Sequence, residues 1–303
     1  MAVNNKRAVL RLAAGALSLP AAFLLGGCSL RLPQGEAARE PEPTTTMAAP
    51  PVSEEPLSEE ERWQQLVQKA CKATWNGQNL DAEVYRQITY SGDIVRLGFY
   101  ETETFLYSVK GERCYSLDRN TYRWQDGGSR LGYSEPYSHM SCYFANGCLY
   151  QQDSKGKHRY LDDSFNPFYN VVDQGPYIPV DFTGEQIAGE IDGEELAGQY
   201  RIHMIVDPVD AAYKLAPYRA TGNGLVTENQ TVTSLTVEYY IGEDGLLRSQ
   251  TLMVEGTGNL KASDDSSWPV QYRETIHIRY PAQGEALRSP VEPPDKQEYV
   301  LVE

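Results

Sequence analysis

Beyond residue 81, apolar side chains recur at every second position, and that period decides the fold class. Val95, Leu97 and Phe99 alternate with Arg96 and Gly98, and Phe105, Tyr107 and Val109 repeat the pattern up to Lys110-Gly111. Tyr115 and Leu117, then Tyr122 and Trp124, run on to Asp126-Gly127-Gly128. Met140, Cys142 and Phe144 lead into Asn146-Gly147. Cys148 and Tyr150 precede Lys155-Gly156, and His158 and Tyr160 follow. Successive side chains of a strand point to opposite faces, so each run offers one face to a core and one to water. Short alternating runs separated by Gly-containing pairs predict antiparallel hairpins in series. Tyrosine outnumbers phenylalanine by 21 to 7, which suits sheet surfaces that are only half buried.

The pattern is interrupted from Asp162 to Phe182. Phe165, Pro167, Phe168, Tyr169, Val171 and Val172 crowd together there with Pro176 and Pro179. A short helix or an irregular covering segment fits this stretch. It is either a surface loop pinned by its aromatics or a lid over an apolar cavity, with Phe165, Phe168, Tyr169 and Val172 as the lid residues. Strands then resume: Ile187 to Ile191, a turn at Asp192-Gly193, and Tyr200, Ile202, Met204 and Val206. Asp207-Pro208 has the form of an N-cap followed by Pro at N1, opening a short helix through Leu215. Leu235 to Ile241, a turn over Gly242 to Gly245, and a return over Leu246 to Val254 make another hairpin. The cleanest alternation is Val270, Tyr272, Ile276, Ile278 and Tyr280, and Val300 to Val302 make a last edge strand.

Ahead of the strands, one helix is expected from Leu57 to about Thr74. Ser58 and Glu61 form a capping box, and Glu59, Glu60 and Glu61 suit the positive end of the helix. Trp63, Leu66, Val67, Ala70, Cys71 and Thr74 share one helical face, and Asn76-Gly77 stops the helix. That face docks on the sheet. Residues 28–56, with Pro41, Pro43, Pro50, Pro51 and Pro56, have too little apolar surface to fold and are expected to stay extended and disordered.

The first 27 residues have the form of a secretory leader. Lys6, Arg7 and Arg11 precede an apolar run from Leu12 to Leu25, too short for an ordinary membrane helix and broken by Pro20. The run ends in Leu25-Gly26-Gly27-Cys28, which resembles the bacterial lipobox. The resemblance implies cleavage before Cys28, diacylation of its thiol, and a protein anchored by lipid at the extracytoplasmic face of the cell membrane. Loss of residues 1–27, with three bases and no acid, takes the net charge from −15 to −18. A chain this acidic is a poor partner for nucleic acid.

Four cysteines remain after Cys28: Cys71, Cys114, Cys142 and Cys148. An exported protein permits disulfides, and no C-x-x-C or H-x-x-x-H spacing supports a zinc site. Two local geometries compete at Asn146-Gly147. A two-residue turn sends the Cys142 and Cys148 side chains to opposite faces, whereas a five-residue loop from Tyr143 to Gly147 sets them opposite each other, close enough for a disulfide. The gain from a staple favours the loop and a Cys142–Cys148 disulfide.

One helix, a long meander, an aromatic covering segment and three long strands ending in Tyr280-Pro281-x-x-Gly284 look like the LolA/LppX-type group of lipoprotein folds. The resemblance covers residues 57 to 290 and implies an α+β fold: a strongly curved antiparallel sheet, or half-open barrel, with the N-terminal helix and short covering helices packed inside. It also implies binding of lipid or another apolar or amphipathic ligand in the concave face. The division expected is a leader over 1–27, a lipidated tether over 28–56 and one folded domain over 57–303.

Catalytic motifs are absent: no H-E-x-x-H, G-x-S-x-G, P-loop or G-x-G-x-x-G. His139, His158, His203 and His277 each fall in an expected strand, and the pairs Asp162-Asp163, Glu194-Glu195 and Asp264-Asp265 lack calcium-loop spacing. The expectation is a binding protein that is not an enzyme and holds no cofactor or metal. The alternative is an accessory envelope protein that binds another protein or a glycan through a Tyr-rich sheet face.

Overall fold

The computed structural model describes residues 57–93, 96–109, 114–126, 137–161, 166, 171–172, 175–215, 226–261, 266–281 and 294–302. Helix α1 spans Glu59–Thr74. The Ser58 N–H donates to Glu61 Oε2 at 2.8 Å and the Glu61 N–H to Ser58 Oγ at 3.2 Å, closing the capping box. The helix ends where the Trp75 N–H bonds the Cys71 carbonyl at 3.0 Å, and Gly77 turns the chain away with φ of +82°. Val67, Ala70, Cys71 and Thr74 are buried, while Trp63 and Leu66 are half-buried.

Six strands follow as a meander: β1 (Asn79–Ser91), β2 (Arg96–Ser108), β3 (Cys114–Asp126), β4 (Tyr137–Ala145), β5 (Cys148–Asp153) and β6 (Gly156–Leu161). A second meander comprises β7 (Ile187–Leu196), β8 (Gln199–Val206), β9 (Val226–Gly242), β10 (Leu247–Lys261) and β11 (Ser267–Arg279). Between β8 and β9 lies a short helix, α2 (Ala212–Leu215), preceded by a turn in which Asp207 Oδ1 accepts from the Val209 N–H at 2.8 Å. The meanders fuse because β1 pairs with β11. With β12 (Val300–Val302) alongside β6, one sheet runs β12-β6-β5-β4-β3-β2-β1-β11-β10-β9-β8-β7. Every neighbouring pair is antiparallel except β12 and β6. The order has two edges, β12 and β7, so the sheet is open.

Alternation puts Leu80, Val84 and Tyr90 of β1, Leu97 and Phe105 of β2, Val237 and Tyr239 of β9, and Ile276 and Ile278 of β11 in one buried cluster with α1. The helix packs mainly against β7, β9 and β10, and Trp63 also meets the ring of Tyr200 on β8, with centroids 6.2 Å apart. Sixteen residues make a helix about 24 Å long. Twelve strands make a sheet roughly 50 Å wide. The irregular segment 175–182 packs on the same face and bridges β2 to β9 and β10. Tyr177 stacks on Phe105 with ring centroids 3.9 Å apart and planes at 9°. The Tyr239 hydroxyl donates to the Val180 carbonyl at 3.0 Å, and the Val180 N–H donates to Gln250 Oε1 at 3.1 Å. Phe182 is fully buried.

Two turn expectations change. Asp192-Gly193 is not a turn, because β7 runs through it to Leu196 and the chain reverses at Gly198, with φ of +80°. Gly193 serves packing instead: a Cβ there would come within 2.3 Å of the Trp63 indole, so the missing side chain lets α1 approach β7. The five-residue loop before Cys148 is also overturned. Asn146 (φ 54°) and Gly147 (φ 67°) form the two-residue turn, Ala145 pairs with Cys148, and Cys142 pairs with Gln151. The Cys142 and Cys148 side chains therefore leave opposite faces, and neither is in a disulfide. Two consecutive left-handed residues match the strand twist better than a longer loop, and Asn-Gly supplies them at little steric cost.

Val67→Ala is expected to cost about 2 kcal/mol in urea unfolding, from two lost methyl groups and the void they leave, while exposed Gln65→Ala changes little. Equal losses would contradict the assigned face. Peptide mapping of unreduced, alkylated protein is expected to recover no Cys142–Cys148 cross-link; such a link would restore the five-residue loop.

Candidate functional site

On the sheet face that carries α1, the apolar alternation is broken by a row of ions. Arg86 stands in phase with Val84 and Ile88 on β1. Glu101 and Glu103 lie in phase between Phe99 and Phe105 on β2. Arg119 follows Leu117 in phase on β3, and Glu274 precedes Ile276 in phase on β11. Register aligns them: Arg86 opposite Glu101, Glu103 opposite Arg119, Glu101 opposite Thr121. Charge alternates across the four adjacent strands.

The contacts close the row. Arg86 Nη1 donates to Glu101 Oε1 at 3.3 Å, and Arg86 Nε lies 3.4 Å from Glu274 Oε1. Arg119 Nε bonds Glu103 Oε1 and sits 3.8 Å from Glu101 Oε2. The Thr121 hydroxyl donates to Glu101 Oε2 at 3.1 Å. Arg86, Glu101, Glu103 and Glu274 are each 4–5% exposed, whereas the Arg119 side chain is 29% exposed. Tyr177 roofs the row from the irregular segment, with its hydroxyl on Glu103 and Arg119.

Three carboxylates against two guanidiniums leave one excess negative charge in a dry place. Burial, and after it the neighbouring Glu103 charge, raise the Glu101 pKa; Arg119, Arg86 and Thr121 act against the rise. Burial and then Glu103 push the Tyr177 phenol well above its ordinary value, so it stays a neutral donor. Cys71, packed by its sulfur 3.7 Å from the Val180 carbonyl, is also raised, by burial first and Asp181 second, which keeps it an unreactive thiol.

Of the residues expected to form a lid, Val172 is fully buried in the core cluster. Phe165, Phe168 and Tyr169 lie outside the described residues, as does Cys28. His139 bonds Asp118 at 2.9 Å and His277 bonds the Thr251 hydroxyl at 2.8 Å. Burial and then Arg279 lower the His277 pKa. Among the described residues no group of three His, Cys, Asp or Glu side chains is arranged to hold a metal ion, and no helix is long and apolar enough to cross a membrane.

No protein-family model matches this chain, and no curated protein does. Among solved structures, a LolA superfamily protein from Nitrosomonas europaea aligns over 78% of this chain and 97% of its own, at 10% identity and a TM-score of 0.22. That likeness assigns no residue of this chain.

Because the Glu101 pKa is raised, the folded state is fully favoured below the unfolded-state pKa and loses stability as pH rises through the folded value. Glu101→Gln lacks that loss. Its unfolding free energy relative to the parent should therefore become more favourable as the pH of the urea titration is raised from acid to neutral; a pH-independent difference would contradict the shift. Arg86→Met removes the buried guanidinium that Glu101 and Glu274 share and is expected to cost ~3–5 kcal/mol at neutral pH.

Proposed function

We propose that this chain is an extracytoplasmic lipoprotein, anchored through Cys28, that binds a lipid or other amphipathic ligand without catalysis. In this reading residues 1–27 are the leader, 28–56 the tether and 57–303 one domain with a curved sheet of LolA/LppX kind. The ligand lies on the helix side of the sheet beneath the segment 175–182. What supports this is the order of elements and, above all, the row of buried ions at Arg86, Glu101, Glu103, Arg119 and Glu274. A face that served only as a core would be more stable with apolar groups in those places. Apolar surface with a few fixed polar groups is the composition of an amphipathic-ligand site. Tyr177 and Phe182 are buried against that surface. Ligand chains replace them on Phe105 and its neighbours, and the headgroup meets Arg119, the least buried ion of the row.

Native mass spectrometry of Cys28→Ala protein purified from cells tests the reading. The expected spectrum contains adducts at lipid masses, more abundant in the Tyr177→Ala variant. A bare polypeptide mass for both, unchanged after incubation with phosphatidylglycerol vesicles, would contradict it. For the anchor, Cys28→Ala is expected to move the protein out of the membrane fraction or leave it unprocessed; unchanged fractionation and cleavage would contradict lipidation.

A further inference from the structure

A band of exposed aromatic rings crosses the sheet face that turns away from α1. Strand β3 is continuous, so with Leu117 on the helix side, Tyr122 and Trp124 point the other way, and Tyr100 of β2 joins them. Register sets Tyr100 opposite Tyr122 and Tyr122 opposite Tyr137. Three tyrosines thus form one row across β2, β3 and β4, exposed by 40, 51 and 46%. The rings of Tyr122 and Tyr137 have centroids 4.9 Å apart, and the Tyr137 hydroxyl donates to Asn120 Oδ1 at 2.9 Å, which fixes the end of the row. Trp124 widens the band by lying against Gly98, where a Cβ would come within 2.8 Å of the indole.

Beside the band the same face opens into two adjoining clefts of about 650 and 540 Å³. Both include Ser91, Thr257 and Gln271. The first adds Asn229, Asn259 and Asp93, and the second reaches Thr89, the partner of Gly98. The β9–β10 ladder slips here, between Glu255 and Gly256 and again between Thr257 and Asn259, and Asn229 is left-handed with φ of 53°. Such bulges re-aim side chains and recur beside binding sites. The clefts offer mainly amides and hydroxyls, with Asp93 in the first and the Arg273–Glu255 pair in the second. Two further arginines of this face lie against carboxylates, Arg279 on Glu83 and Arg96 on Asp126.

We infer that this face is a platform for an uncharged saccharide chain, lying across Tyr100, Tyr122, Tyr137 and Trp124 with its hydroxyls bonded in the clefts. A pyranose has an apolar C–H face that stacks on an aromatic ring and a hydroxyl edge that needs amide and hydroxyl partners, and both are supplied side by side. The strand spacing of about 4.8 Å that sets the tyrosine row is close to the rise per sugar of an extended β-1,4-linked chain. Charge disfavours the polyanions: a chain of net charge −15 repels them, and Arg273, Arg279 and Arg96 on this face each lie against a carboxylate. Area disfavours a protein. Three rings across roughly 10 Å of sheet fall short of the ~800 Å² per partner of a stable protein interface, whereas a polysaccharide needs only a strip. The platform and the lipid site lie on opposite faces, so either can fail alone.

Affinity electrophoresis with hydroxyethylcellulose and mannan, and calorimetry with chitohexaose, test the inference on the tether-plus-domain protein carrying Cys28→Ala. At least one neutral saccharide should retard or bind the protein, and heparin should not. Tyr122→Ala and Tyr100→Ala should each weaken binding about tenfold, equivalent to ~1.4 kcal/mol, with unchanged melting by circular dichroism; Gln271→Ala should weaken it less. Absence of binding to all three neutral probes at millimolar concentration would overturn the inference. So would binding that survives the Tyr100→Ala/Tyr122→Ala double substitution, or retardation by heparin.

Discussion

One face of a twelve-stranded open sheet must be kept from water, and one sixteen-residue helix cannot do it. Helix α1 seals the half built from β7, β9 and β10. The half built from β1, β2 and β3 is met by a segment with no regular structure of its own, through a ring stack on Phe105, and the same segment is tied to β9 and β10 by two bonds at Val180. This division follows from length alone. It leaves the row of ions where the cover is irregular.

The row itself is an electrostatic compromise. Arg86 sits between carboxylates of β2 and β11, and Arg119 between two carboxylates of β2, so among the described residues three carboxylates share two guanidiniums. Burial first, and the neighbouring Glu103 charge second, raise the Glu101 pKa. Breaking one partner is costly and neutralising the surplus carboxylate is not, because only the first leaves an uncompensated buried ion. Arg119 differs from the rest in reaching partly to solvent, so the row has one end open to water.

Much of this was legible in the sequence wherever a single local rule applied. The capping box at Ser58, the stripe from Val67 to Thr74 and the hairpin runs depend on spacing alone, and the structure keeps them. What escaped needed a third dimension. Gly193 reads as a turn, but its role is set by Trp63, more than a hundred residues earlier. Asn146-Gly147 pitted a turn rule against the gain from a disulfide, and backbone twist prevailed. The ions were visible as charges in the apolar phase of β1, β2, β3 and β11, but only register shows that they meet. Tyr122 and Trp124 continue the run begun by Leu117 on paper; counting positions through an unbroken β3 sends them to the other face, where they meet Tyr100 and Tyr137.

The two faces of the sheet carry different chemistry, and a ligand site on the helix side requires that its irregular cover lift apart from global unfolding. Native-state hydrogen exchange at the Val180 amide, whose only acceptor among the described residues is the Gln250 side chain, measures this directly. If the cover opens as its own unit, Val180 exchanges through an opening several kcal/mol cheaper than that of the Ile276 and Ile278 amides in the central strand β11. Exchange of Val180 at the same free energy as Ile276 and Ile278 would show that the cover is part of the global core and would contradict a ligand site beneath it.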